Sequence, residues 1–120
     1  MNALEESILL SQLDGEIPLT AIDDFAAQLE SDGATRKRLV LEAVRSLLSE
    51  GYIVLGQFDK VAEKSQWTDW VGTVDEQVDR LAGAYAPQLD DWESWGFLCW
   101  FAHTPKGEEA AEALYADRSR

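Results

Sequence analysis

Cys99 and His103 are the residues whose types are best suited to chemistry: one thiol and one imidazole, the single copy of each in the chain, four positions apart. A thiolate nucleophile needs a base within hydrogen-bond reach. In an extended segment a spacing of four leaves the two side chains on the same side but roughly 13 Å apart, so the pair predicts a buried structural cysteine. A metal centre built around one histidine would need carboxylates at a supporting spacing, and none is present. The adjacent acids Asp23–Asp24 and Asp90–Asp91 could meet a hard cation, yet such pairs are commonplace on a surface this acidic. Gly51 and Gly56 flank a strand candidate without the lysine and hydroxyl residue of a phosphate-binding loop. The chain reads as a non-enzyme with no cofactor and no metal.

Binding chemistry is better represented. Trp67 and Trp70, and then Trp92 and Trp95, form two pairs spaced three apart, which on a helical turn would put both rings of a pair on one side. Acids lie beside them: Asp69, Asp90, Asp91 and Glu93. If exposed, the rings make an aromatic centre with an acidic rim, the composition of a docking surface for a basic protein. If buried, they fix this segment to the rest of the domain, as tryptophans commonly do. Stacking on nucleic acid is disfavoured, because stacking platforms come with a positive groove.

The cations are segregated. Residues 1 to 33 hold eight acidic and no basic residues, whereas Thr35 to Glu50 carry Arg36, Lys37, Arg38 and Arg45, four of the ten cations, in a chain of formal net charge -13. An acidic protein can approach duplex DNA only through such a patch. Here Arg38 and Arg45 would reach the major groove or its phosphates, with Arg36 and Lys37 as further phosphate contacts. Glu42 on the same face would meet phosphate repulsion, and intrahelical pairing with Arg38 or Arg45 is the alternative use of these charges. Four cations are few for a monomer, so DNA binding would call for a dimer.

The elements that must position these groups follow from periodicity and capping. With 120 residues and 46% hydrophobic content the chain is expected to form one domain over residues 1–120. Asn2 caps a first helix with the apolar stripe Leu4, Ile8, Leu9 and Leu13, closed by Asp14–Gly15. Ile17–Leu19 form an extended link, and Thr20 caps a second helix containing Ile22, Phe25, Ala26 and Leu29. A third helix starts near Thr35 with Val40, Ala43, Val44, Leu47 and Leu48 on one face. Gly51 stops it, Tyr52–Leu55 make a strand, and Gly56 breaks that strand. A second strand is expected at Phe97–His103. Roughly forty residues separate the two strands, too many for a structureless loop; Thr73 with Glu76 begins a helix there that carries Val74, Val78, Leu81 and Tyr85 to Pro87. Thr104 and Pro105 open the last helix.

Two stretches carry a family resemblance. LVLEAVRSLLSEGYIVLG (residues 39–56) resembles the end of a winged-helix recognition helix running through a glycine into the first wing strand. WFAHTPKGEEAAEAL (residues 100–114) is similar to the second wing strand and the following helix, which T-P-K-G begins in many bacterial winged-helix regulators. The resemblance covers about residues 2–56 and 97–116 and implies a mainly α winged helix-turn-helix domain with a small β-wing, in which residues 57–96 are an insertion holding a helix between the wing strands. It also implies that the helix at 35–50 is the recognition helix.

Apolar runs are far shorter than the roughly 20 residues of a membrane span, and the acidic start lacks the character of a secretory signal; a cytoplasmic location is expected. The favoured reading is a protein-binding module for a basic partner, of adaptor, antitoxin or immunity type, through Trp67, Trp70, Asp90, Asp91, Trp92, Glu93 and Trp95. The alternative is a dimeric DNA-binding transcriptional regulator. The sequence leaves the oligomeric state open.

Overall fold

A computed structural model describes residues 1–87 and 91–120. Over these residues the chain is a mixed α/β fold of six α-helices and one four-stranded antiparallel sheet, with strand order β1-β4-β2-β3.

Helix α1 (Ala3–Ser11) begins where the Asn2 carboxamide oxygen accepts from the Glu5 N–H at 2.8 Å, satisfying one of the amides a helix start leaves free. A 3-10 turn over Gln12–Asp14 follows and ends at Gly15, whose φ of 130° is a region other residues avoid. Strand β1 (Ile17–Pro18) leads directly into helix α2 (Leu19–Ala27). Thr20 is not its cap. The first amides of α2 are instead met from across the fold, Leu19 N–H by the Cys99 carbonyl and Thr20 N–H by the Gly96 carbonyl, each at 3.0 Å.

Helix α3 (Gly33–Ser49) starts earlier than periodicity suggests because Asp32 is its cap, accepting from the Thr35 hydroxyl at 2.7 Å and the Thr35 N–H at 2.9 Å. Those two bonds, the hydroxyl first, hold the Asp32 carboxyl below its ordinary pKa. Val40, Ala43, Val44 and Leu47 are buried, the face expected from their spacing.

The strand after Gly51 does not stop at Gly56. Strand β2 runs Ile53–Val61 and turns back through β3 (Lys64–Asp69) in a hairpin whose two loop residues, Ala62 and Glu63, are left-handed (φ 51° and 66°). Gly56 lies mid-strand and paired on both sides, to Trp100 and to Asp69. A Cβ there would overlap the Trp67 indole, so glycine admits that ring instead of ending the strand. Helix α4 (Val74–Ala84) has the expected capping box, with the Thr73 hydroxyl accepting from Glu76 N–H and the Glu76 carboxylate from Thr73 N–H, both at 3.1 Å. The one-turn helix α5 (Trp92–Trp95) precedes strand β4 (Trp100–His103), which begins three residues later than expected because Gly96 and Leu98 donate back to Trp92 and Trp95 carbonyls.

Helix α6 (Pro105–Arg118) shows why T-P-K-G stands at its start. Thr104 Oγ1 accepts from Gly107 N–H at 3.0 Å and donates to the Gly51 carbonyl at 2.6 Å, and the Lys106 ammonium donates to the Glu50 carbonyl at 2.7 Å. A side chain at Gly107 would overlap the Tyr52 carbonyl. Thr104, Lys106 and Gly107 therefore lock α6 to the junction between α3 and β2, while Pro105 occupies the first turn of the helix. The core lies between the helices and one sheet face, where Ile8, Leu9, Ile22, Val44, Leu55 and Phe101 are at most 1% exposed. Among the described residues, no helix is long and apolar enough to cross a membrane.

Candidate protein-docking site

Alternation along the strands sends Ile53, Leu55 and Phe101 into the core and therefore turns Val54, Gly56, Phe58 and Trp100 to the opposite face. Register adds Trp67, paired with Phe58. Among the described residues no helix covers these rings, and they meet one another. Trp67 packs edge-on against Phe58 with centroids 5.3 Å apart, and Phe58 against Trp100 at 5.1 Å. Phe97 continues the row beside Trp100 at 6.1 Å, and Trp92 of α5 ends it at 6.2 Å from Phe97. Edge-to-face contacts of this kind hold the rings in place. Five aromatic rings thus form an unbroken row that runs from the sheet onto α5, with Trp92 and Phe97 each 51% exposed, Trp67 and Trp100 half-buried, and Leu98 exposed beside them.

The acids at this row are exposed. Asp69 accepts from the Trp67 indole N–H, and Asp91 and Glu93 flank Trp92 in sequence. Asp90 lies outside the described residues.

Of the two tryptophan pairs, Trp67 and Trp70 are not on one side, and Trp92 and Trp95 share the turn of α5 but differ in burial. Trp92 is exposed and Trp67 half-buried in the aromatic row, whereas Trp70 is 7% and Trp95 3% exposed in the core. Trp67 sits in a strand, where a spacing of three points successive rings to opposite sides. Trp70 donates to the Gln57 side-chain oxygen at 3.2 Å and carries the Arg80 guanidinium 4.0 Å above its ring. Trp95 packs against Tyr85 with centroids 5.1 Å apart. Phe58, Phe97 and Trp100 were not singled out. Pairing Phe58 with Trp67 requires the hairpin register, but the exposed run Phe97–Leu98 next to Trp92 was available as a signal.

The four cations of α3 are engaged to different degrees. Arg36 faces inward: its Nε donates to Asp23 Oδ1 at 2.9 Å, and its terminal nitrogens donate to the carbonyls of Glu30, Ser31 and Pro87. Burial acts to lower the guanidinium pKa, and the Asp23 carboxylate outweighs it, so the side chain is held firmly charged. The same Asp23 oxygen accepts from the Tyr85 hydroxyl, whose pKa burial and this bond push far up. Arg45 pairs with Asp75 of α4. Helix α4 lies along α3, and the groove between them, about 370 Å³, is lined by Lys37, Arg38, Glu42 and Arg45 from one side and Val78 and Asp79 from the other. Lys37 is half-buried and Arg38 exposed. The outward face of α3 is thus shared with an acidic helix.

Cys99 is fully buried, and burial pushes its thiol pKa far above the ordinary range. The His103 ring is occupied by a 2.7 Å hydrogen bond between Nε2 and the Leu9 carbonyl. No family model, curated protein or solved structure matches this chain.

Proposed function

We propose that this chain is a non-enzymatic protein-binding module of winged-helix-like fold that docks a basic protein partner on the aromatic face of its sheet. One observation carries the reading: the aromatic row Trp67–Phe58–Trp100–Phe97–Trp92, in which Phe58, Phe97 and Trp92 are exposed and Trp67 and Trp100 half-buried, with Asp69, Asp91 and Glu93 beside it. Monomeric proteins rarely leave a contiguous apolar patch of this kind uncovered. Aromatic anchors dominate the energetics of interfaces, and a polar rim excludes water around them. The net charge of -13 selects the partner's sign, because long-range attraction speeds encounter with a cationic surface and opposes an anionic one. An adaptor, an antitoxin or an immunity-type inhibitor fits this surface.

The winged-helix assignment draws on element order, with α1, β1, α2, α3, β2 and β4 following one another as in such a domain and β4 pairing between β1 and β2. Strand β3 and helices α4 and α5 then form the insertion. The alternative, a dimeric DNA-binding regulator reading through α3, has less support: Arg36 is bonded inward, Arg45 pairs with Asp75, and α4 brings Asp79 to the same groove.

The test uses Trp92→Ala with Phe97→Ser, and separately Asp91→Lys with Glu93→Lys, on a purified partner captured from cell extract. Loss of about tenfold or more in affinity is expected for the ring variant, the scale of an interface anchor. Unchanged affinity in both variants would overturn the reading.

A further inference from the structure

Between α2 and α5 lies a cleft of about 420 Å³ lined by Thr20, Asp23, Asp24, Arg36, Pro87, Trp92 and Trp95. Its walls are fixed closely to each other: Thr20 N–H donates to the Gly96 carbonyl, and a Cβ on Gly96 would overlap the Thr20 side chain. Charge in the cleft is unbalanced. Arg36 is neutralised by Asp23 and directs three of its four remaining donors to backbone carbonyls, which leaves the exposed Asp24 carboxylate as surplus negative charge. Both bonds to Asp23 end on Oδ1, so Oδ2 is an open acceptor among the described residues. Trp92 presents a half-exposed ring to the cleft. Trp95 also lines it, but is 3% exposed and has its indole nitrogen shut off from the open space.

Resting on the docking reading above, we propose that this cleft receives an arginine side chain of the basic partner, with the guanidinium between Asp24, Asp23 Oδ2 and the Trp92 ring. Position supports it, because Trp92 is at once the last ring of the aromatic row and a wall of the cleft. The chemistry selects arginine over lysine: a planar guanidinium stacks on an aromatic face and offers forked donors to carboxylates, whereas an ammonium is a strongly hydrated point charge. The volume accommodates such a side chain and part of its backbone.

The test requires no partner. N-acetyl-arginine N-methylamide is titrated into 15N-labelled protein at about 1–10 mM, a range suited to a single-residue probe, while the indole N–H signals are followed. The Trp92 signal is expected to shift saturably, with the lysine analogue weaker and the uncharged citrulline analogue without effect. Asp24→Asn, an exposed position, should weaken the arginine probe by roughly two- to fivefold, the scale of one exposed charge contact. No saturable Trp92 shift, or an equal response to citrulline, would overturn the proposal. Failure here, with the ring variants still losing the partner, removes the cleft and leaves the docking surface. Probe binding with ring variants that keep the partner removes the docking surface and leaves an arginine-binding cleft.

Discussion

Asp23→Ala tests the junction on which the candidate site is mounted. Asp23 of α2 holds Arg36 of α3 at 2.9 Å and the hydroxyl of Tyr85 at the end of α4, and the Arg36 and Asp23 side chains are each 13% exposed. Removing one partner of a buried ion pair costs about 3–5 kcal/mol. Here the lower end applies, because Arg36 retains three carbonyl acceptors after the substitution. The stranded Tyr85 hydroxyl adds about 1 kcal/mol, giving a total of about 3–4 kcal/mol. Asp23→Asn keeps an acceptor oxygen and loses the charge, so about half that loss is expected. With a urea slope of about 2 kcal/mol per M, the alanine variant should unfold at a midpoint lower by about 1.5–2 M. The neighbouring Asp24→Ala removes an exposed carboxylate and should stay within about 0.5 kcal/mol. Urea unfolding followed by tryptophan fluorescence measures all three. Equal midpoints for Asp23→Ala and Asp24→Ala would refute the account of this junction, and so would an Asp23→Asn loss matching that of alanine.

Two further predictions concern positions whose neighbours are fixed. Gly107→Ala adds a Cβ against the Tyr52 carbonyl; the overlap should cost about 1–3 kcal/mol and outweigh the roughly 1 kcal/mol an alanine gains in helix propensity, so thermal unfolding should move down, and a rise would contradict the close approach. Cys99 should resist a thiol-reactive disulfide reagent at pH 8 in the folded protein and react once unfolded. Because its folded pKa is raised by burial, its contribution to stability is complete below the ordinary thiol value of about 8.5 and falls as pH rises above it toward the folded value. Fast native-state labelling would place the thiol outside the core.

Sequence made the helices legible where a capping side chain and an apolar stripe coincide. Thr73 with Glu76, Asn2, and Thr104 with Pro105 each mark a helix start that the structure contains. The hairpin β2–β3 was hidden for three physical reasons. Gly56 resembles a strand breaker but serves as the seat of the Trp67 ring. The turn residues Ala62 and Glu63 adopt left-handed angles without the asparagine or glycine that usually announces them. Strand β3, Lys-Ser-Gln-Trp-Thr-Asp, has no apolar alternation, because it is an edge strand with one aromatic half-buried against its neighbour. The site was correspondingly legible in composition and illegible in arrangement. Tryptophans beside acids pointed to residues 67–95, yet which rings are exposed depends on strand register and on the turn of α5, and neither can be read from spacing alone. Likewise the charges of α3 were visible, whereas the inward course of Arg36 requires knowing that α2 brings Asp23 to that helix, and the Arg45–Asp75 pair that α4 packs along it.

The most direct measurement on the docking proposal is a titration, at about 50 and 200 mM salt, of the purified captured partner against the wild-type chain and the Trp92→Ala/Phe97→Ser variant, with random duplex DNA as a parallel ligand. The account predicts a basic partner whose affinity weakens with salt, falls about tenfold or more in the variant, and exceeds any affinity for DNA. Partner affinity indifferent to the variant, together with salt-sensitive DNA binding abolished by Arg38→Ala/Arg45→Ala, would contradict it and assign the function to α3.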